Sequence, residues 1–134
     1  MYAANKWEKA QELERAIKTG KTVIVNRYTP SNLAYGMAHG LSLQWLEHLE
    51  EDLPKPDLVF ILDITAQTSF MRKKKRRDFH ENDQNYLDRV RRAYVRLGKK
   101  YGWRIISGNR EPAIVSVDLW LQASSFLCME STNE

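Results

Sequence analysis

The chain has 134 residues, 43% of them apolar and 28% charged, which suits one globular domain with a modest core rather than two independent ones. No apolar run approaches the roughly 18 residues that a membrane helix needs, and the opening Met1 to Glu8 lacks the apolar centre of a signal peptide, so a cytoplasmic location is expected. The net charge of +4 suits anionic partners without choosing among nucleotide, nucleic acid and membrane surface, while the single Cys128 excludes an internal disulfide.

In chain order, Ala3 to Lys18 reads as a helix, with Trp7, Ala10, Leu13 (or Glu14) and Ile17 recurring at spacings of three and four. Gly20 is a helix stop. Thr22 to Val25 is short and β-branched, as expected of a buried strand that ends at Asn26-Arg27-Tyr28. Pro30 marks a turn, and Ser31 is the expected cap of the helix that follows. Ser42 to Glu50 reads as another short helix. Leu58 to Asp63 is a continuous apolar run ending in an acid, the pattern of a parallel strand covered on both faces. Thr65 can cap a helix leading into the basic run. A long helix covers about Asp83 to Tyr101, with Leu87, Val90, Tyr94, Leu97 and Tyr101 on one face. Trp103 to Ser107 is a further strand and Pro112 to Leu121 a last helix, after which the tail is polar. The alternation predicts an α/β domain with an open parallel sheet, flanked by helices and joined by right-handed crossovers. Ligands of such sheets collect at the carboxyl ends of strands, here Asn26-Arg27-Tyr28 and Asp63.

Several short signals have competing readings. Gly20-Lys21-Thr22 imitates the end of a phosphate-binding loop, but the glycine required five positions earlier is Arg15, and the tripeptide follows a helix instead of a strand. It is expected to be a turn. The six consecutive cations from Arg72 to Arg77 fit a solvated face, a lid over a polyphosphate, or a nucleic-acid patch, the last without aromatic platforms beside it. Arg27, at the end of a predicted buried strand, is either a structural ion-pair partner or a planar fork gripping a phosphate. At about 4 Å and an effective dielectric near 20, each unit-charge pair gives roughly 4 kcal/mol of attraction before desolvation. Trp7 reads first as a core aromatic. His39, His48 and His80 show no metal-ligand spacing, so no metal site is assigned.

Together these residues resemble the thymidylate kinases over about Tyr2 to Trp120. Tyr2-Ala3-Ala4-Asn5-Lys6-Trp7-Glu8 is similar to the family's aromatic-x-Ala-Asn/Asp-Arg-Trp-Glu segment. Asn26 to Tyr35 is similar to its Asp-Arg-Tyr-x-x-Ser-x-x-Ala-Tyr signature, and Leu53-Pro54-Lys55-Pro56-Asp57-Leu58 to its Leu-Pro-x-Pro-Asp-Leu approach to a strand. The resemblance implies the fold of a nucleoside-monophosphate kinase and transfer of the γ-phosphoryl of ATP to thymidylate, giving dTDP, with Mg2+. It implies that Tyr2 stacks on thymine, Lys6 approaches the base, Arg27 holds the acceptor phosphate, and Ser31 and Tyr35 line the nucleoside pocket. Arg72, Arg76 and Arg77 would act with Arg27 as catalytic cations. Asp78 and Glu81 would belong to the lid, and Arg72, Arg76 and Asn109 would face ATP. A homodimer is also implied; a membrane is not, and nucleic acid is not the partner that the resemblance favours.

The chain departs from the family pattern at Asn26, where the signature has aspartate, at Lys6, where it has arginine, and at Phe79-His80 in the lid. Its matching part is expected to be a domain over residues 1–122, with 123–134 as an unstructured polar tail. The family's first strand and glycine loop are not found in these residues. A fragment, a misplaced start, or a split or decayed kinase is therefore expected, with little or no turnover of its own. A thymidylate-binding remnant and a basic nucleic-acid-binding module are the rival expectations.

Overall fold

A computed structural model describes residues 2–72 and 84–130, with the side chains of 2–7, 70, 129 and 130 left out of the description. Among the described residues, six helices and two strands follow one another: α1 (Tyr2–Lys18), α2 (Thr29–Ala38), α3 (Leu43–Leu49), β1 (Phe60–Asp63), α4 (Ala66–Arg72), α5 (Gln84–Tyr101), β2 (Arg104–Ser107) and α6 (Pro112–Glu130). The two strands pair in parallel, Phe60 against Arg104 through Asp63 against Ser107. An α/β architecture with a small parallel sheet flanked by helices is thus what forms. No helix among the described residues is long and apolar enough to cross a membrane.

The core lies between α2, α3 and α5. Leu33, Ala34, Leu46, Ala93 and Leu97 form one buried cluster, with Ala34 and Leu97 fully enclosed. Ala38, Tyr86 and Val90 form a second on the same two long faces. The expected stripe on α5 is present at Val90, Tyr94 and Leu97. Tyr86, Ala93 and Gly98 join it, whereas Tyr101 lies outside at 38% exposure. Small residues let the elements close up. A Cβ on Gly98 would stand 2.9 Å from Cδ1 of Ile105, so glycine lets that side chain lie directly on α5.

Local signals hold where they are self-contained. α1 ends in a left-handed Gly20 (φ 74°), with Gly20 N–H donating to the Ile17 carbonyl at 2.9 Å and Lys21 N–H to the Ala16 carbonyl at 3.1 Å. That is the two-bond glycine stop of a helix, and it closes the phosphate-loop reading of Gly20-Lys21-Thr22. Thr65 caps α4, its Oγ1 accepting from the Thr68 amide at 3.2 Å.

Four expectations are corrected. Residues 22–25 are not a strand: all are exposed, Ile24 at 94%, and among the described residues no strand pairs with their backbone. Ser31 is not a cap; α2 has already begun at Thr29, and the serine hydroxyl is used elsewhere. The sheet is not covered on both faces, since Leu62 and Ile105 are 46% and 38% exposed. Finally, α6 continues through Ser124 to Glu130, so most of the expected unstructured tail is helical. Ser124 satisfies its hydroxyl within the helix, on the Trp120 carbonyl at 2.8 Å, and so does not end it. Residues 131–134 lie outside the described part.

Candidate nucleotide site

Arg27 is the only described non-glycine residue with positive φ, at 58°. A left-handed backbone costs an L-residue about 1–2 kcal/mol, so the surrounding structure must impose it. The cause is local. The exposed segment 21–26 must turn abruptly into α2, whose first turn is fixed by the buried Pro30. The turn throws the Arg27 guanidinium back over α2, 5.5 Å from the Tyr35 ring centre, with Nη1 donating to the Tyr35 hydroxyl at 3.2 Å. Cation–π attraction and this hydrogen bond hold the fork while its exposure leaves it accessible to an anion.

Tyr35 is itself held edge-on by two rings of α5, Tyr86 at 6.3 Å and Tyr94 at 6.2 Å. The Tyr94 hydroxyl shares a 2.8 Å hydrogen bond with Ser31, and the Tyr86 hydroxyl a 2.9 Å bond with Nε2 of His39. Burial pushes both tyrosine hydroxyls up from their ordinary value, so they stay neutral and able to donate. Arg27, Ser31 and Tyr35 are therefore linked through Tyr35 and Tyr94.

A second group gathers at the carboxyl ends of β1 and β2. Asp63 receives two hydrogen bonds from Arg91, Nε at 2.5 Å and Nη2 at 2.8 Å. The hydrogen-bonded Arg91 guanidinium holds the Asp63 carboxyl below its usual range. Asn109 Oδ1 accepts from the Thr65 amide at 3.0 Å, and Gly108 N–H donates to the Asp63 carbonyl at 2.9 Å. Arg72 forks over the same loop, donating to the carbonyls of Gly108 and Arg110 at 2.7 Å each. Arg72 and Asn109 thus share one loop, apart from the Arg27 group. Between the groups lies a cavity of about 140 Å3, lined among others by Asp63, Ser69, Arg91 and Tyr94. Tyr94 belongs to both, touching the cavity and holding Ser31.

Arg76, Arg77, Asp78 and Glu81 lie outside the described residues, as do the side chains of Tyr2, Lys6 and Trp7. Among the described residues no three His, Cys, Asp or Glu side chains gather as a metal cage. Asp63 is taken up by Arg91, so the described residues do not by themselves fit Mg2+. No local motif marks Arg91, Tyr86 or His39, and periodicity alone puts Tyr94 only on a helix face.

The thymidylate kinase family model matches residues 1–118, most of the chain and all of the site above. The chain belongs to the thymidylate kinase family. It is 36% identical over 104 residues to the probable thymidylate kinase of Pyrococcus abyssi, covering 75% of this chain and 51% of that protein. The probable thymidylate kinase of Thermococcus kodakarensis is 38% identical over 104 residues, again 75% and 51%. The thymidylate kinase of Dictyostelium discoideum is 27% identical over 110 residues, 82% of this chain and 49% of its own. This thymidylate kinase homologue spans about half the length of these curated relatives.

Proposed function

We propose that these residues form the acceptor side of a thymidylate kinase, with Arg27 on the thymidylate phosphate and Ser31 and Tyr35 beside the nucleoside. The observation that supports this is the left-handed Arg27 backbone, which holds an exposed guanidinium on Tyr35. Phosphoryl transfer depends chiefly on positioning and on cations around oxygen charge, and Arg27 supplies both. Tyr2 and Lys6 would complete the base side, and Arg72 and Asn109 would face ATP with Arg76 and Arg77, in a lid that includes Asp78 and Glu81. ATP, Mg2+, dTDP as product, a homodimer and a cytoplasmic location belong to the same proposal for the whole protein.

A second reading, a protein that binds thymidylate without turning it over, is favoured by one observation. Gly20-Lys21-Thr22 is a helix stop and offers no amide cradle to a donor phosphate. Calorimetric titration with thymidylate and, separately, with ATP divides the two. Binding of both nucleotides supports the kinase reading, whereas thymidylate binding without ATP binding supports the second and predicts little or no turnover by these residues. Ordinary ATP-dependent transfer by the same chain would refute the weak-turnover part. Absence of thymidylate binding would refute both readings.

A further inference from the structure

The outer face of α5 carries a charge pattern that the nucleotide site does not use. The helix holds six of the chain's 21 Lys and Arg residues but only one of its 17 carboxylates, Asp88. Two of the six are occupied inward, Arg91 on Asp63 and Lys100 on Glu47. Arg89 leans on the Tyr86 ring, at 5.6 Å from its centre, and stays exposed. Arg92, Arg96 and Lys99 are exposed, and no carboxylate among the described residues pairs with them. With Arg91 and Val95 they line a surface depression of about 460 Å3.

Solvation alone does not account for this pattern. A water-facing helix surface gains from opposite charges three or four residues apart and loses roughly 0.2–0.5 kcal/mol for each like pair at that spacing. Here Arg89, Arg92, Arg96 and Lys99 stand at steps of three, four and three, so each step is a like pair, and the helix's one carboxylate, Asp88, lies within a turn of Arg92 but not of Arg96 or Lys99. Lys99 faces the helix C-terminus, where the dipole favours a cation, but Arg92 and Arg96 are mid-helix and gain nothing from it.

The shape of the ridge narrows the partner. Its four cations do not converge on one anion; they lie in a line of about 15 Å at the helical rise of about 1.5 Å per residue. A row of cations at steps of three and four residues can meet the phosphates of one nucleic-acid strand in succession, at most one phosphate per cation. Three of the four are arginines, whose forks suit phosphate oxygens. A membrane fits less well, because an interfacial helix needs an apolar face to insert and that of α5 is spent on the core. We infer that the outer ridge of α5, Arg89, Arg92, Arg96 and Lys99, is a docking surface for the phosphate backbone of a single nucleic-acid strand. This surface is separate in sequence from the basic run of residues 72–77, and the inference does not rest on the proposed thymidylate site.

The test is fluorescence anisotropy of a labelled single-stranded oligonucleotide with the full chain. Four phosphate contacts give a log–log salt slope near −3, a loss of about 50-fold in affinity from about 50 to 200 mM salt. The triple variant Arg92→Glu, Arg96→Glu, Lys99→Glu should lose at least about tenfold in affinity at low salt, with circular dichroism unchanged. The control reverses three exposed cations of equal charge elsewhere, Lys9→Glu, Lys18→Glu and Lys21→Glu. Equal loss in control and ridge variants would show attraction to net charge alone and overturn the assignment. So would unmeasurable binding by the unaltered chain. Stronger, ridge-dependent binding to phosphatidylserine vesicles or to polyglutamate would overturn it in favour of a membrane or an acidic protein.

Discussion

Arg27 joins backbone strain to a prospective function, and a glycine at that position separates the two. Glycine accepts a φ of 58° without cost, so Arg27→Gly removes about 1 kcal/mol of strain even though it frees the unfolded chain. Its urea midpoint is expected to match or exceed that of the unaltered chain, while thymidylate affinity falls. A clear drop in the midpoint would mean that the Tyr35 contacts outweigh the strain. The Asp63–Arg91 pair makes a prediction in pH. The folded-state pKa of Asp63 is depressed, so its contribution to stability is present above the ordinary aspartate range and is lost as pH falls through the lower folded value. Asp63→Asn is expected to flatten the acid limb of stability against pH, followed by thermal melts below neutrality. An unchanged limb would place acid sensitivity elsewhere. Arg27, Ser31 and Tyr35 were legible because they share one short segment. Tyr94 and Arg91 were not, since their partners Ser31 and Asp63 lie 63 and 28 residues away and only folding brings them together.

At the scale of elements, α5 organises the domain, burying Val90, Ala93 and Leu97 against α2 and α3 and placing three tyrosine or arginine contacts at the site. Leu97 is fully enclosed, so Leu97→Ala is expected to cost about 2–5 kcal/mol, read as a lower urea midpoint. Gly20→Ala should cost about 1 kcal/mol through the left-handed φ of 74° alone, because open space surrounds the position. A null result there would remove the glycine stop from the account of α1. Helices and their stops could be read from the sequence because periodicity and capping are local. Residues 22–25 have the β-branched composition of a strand, yet a strand also needs a partner, and no run of residues reveals whether one is in place.

At the scale of the whole molecule, large apolar side chains among the described residues stand open to water: Ile24 at 94%, Trp120 at 71%, Leu121 at 61% and Val117 at 59%. Patches of this kind mark surfaces meant to be covered. The isolated chain should accordingly bind an apolar-surface dye strongly under native conditions. Weak dye binding would show that the apolar residues are shielded in solution.

The central claim is that Arg27 grips the acceptor phosphate, and calorimetric titration of thymidylate into the chain and into Arg27→Ala tests it most directly. Loss of a charge-assisted fork is worth about 2 kcal/mol or more, so affinity is predicted to fall at least about 30-fold in the variant while its melting curve is kept. Equal affinity in the two proteins, or no binding by the unaltered chain, would contradict the assignment.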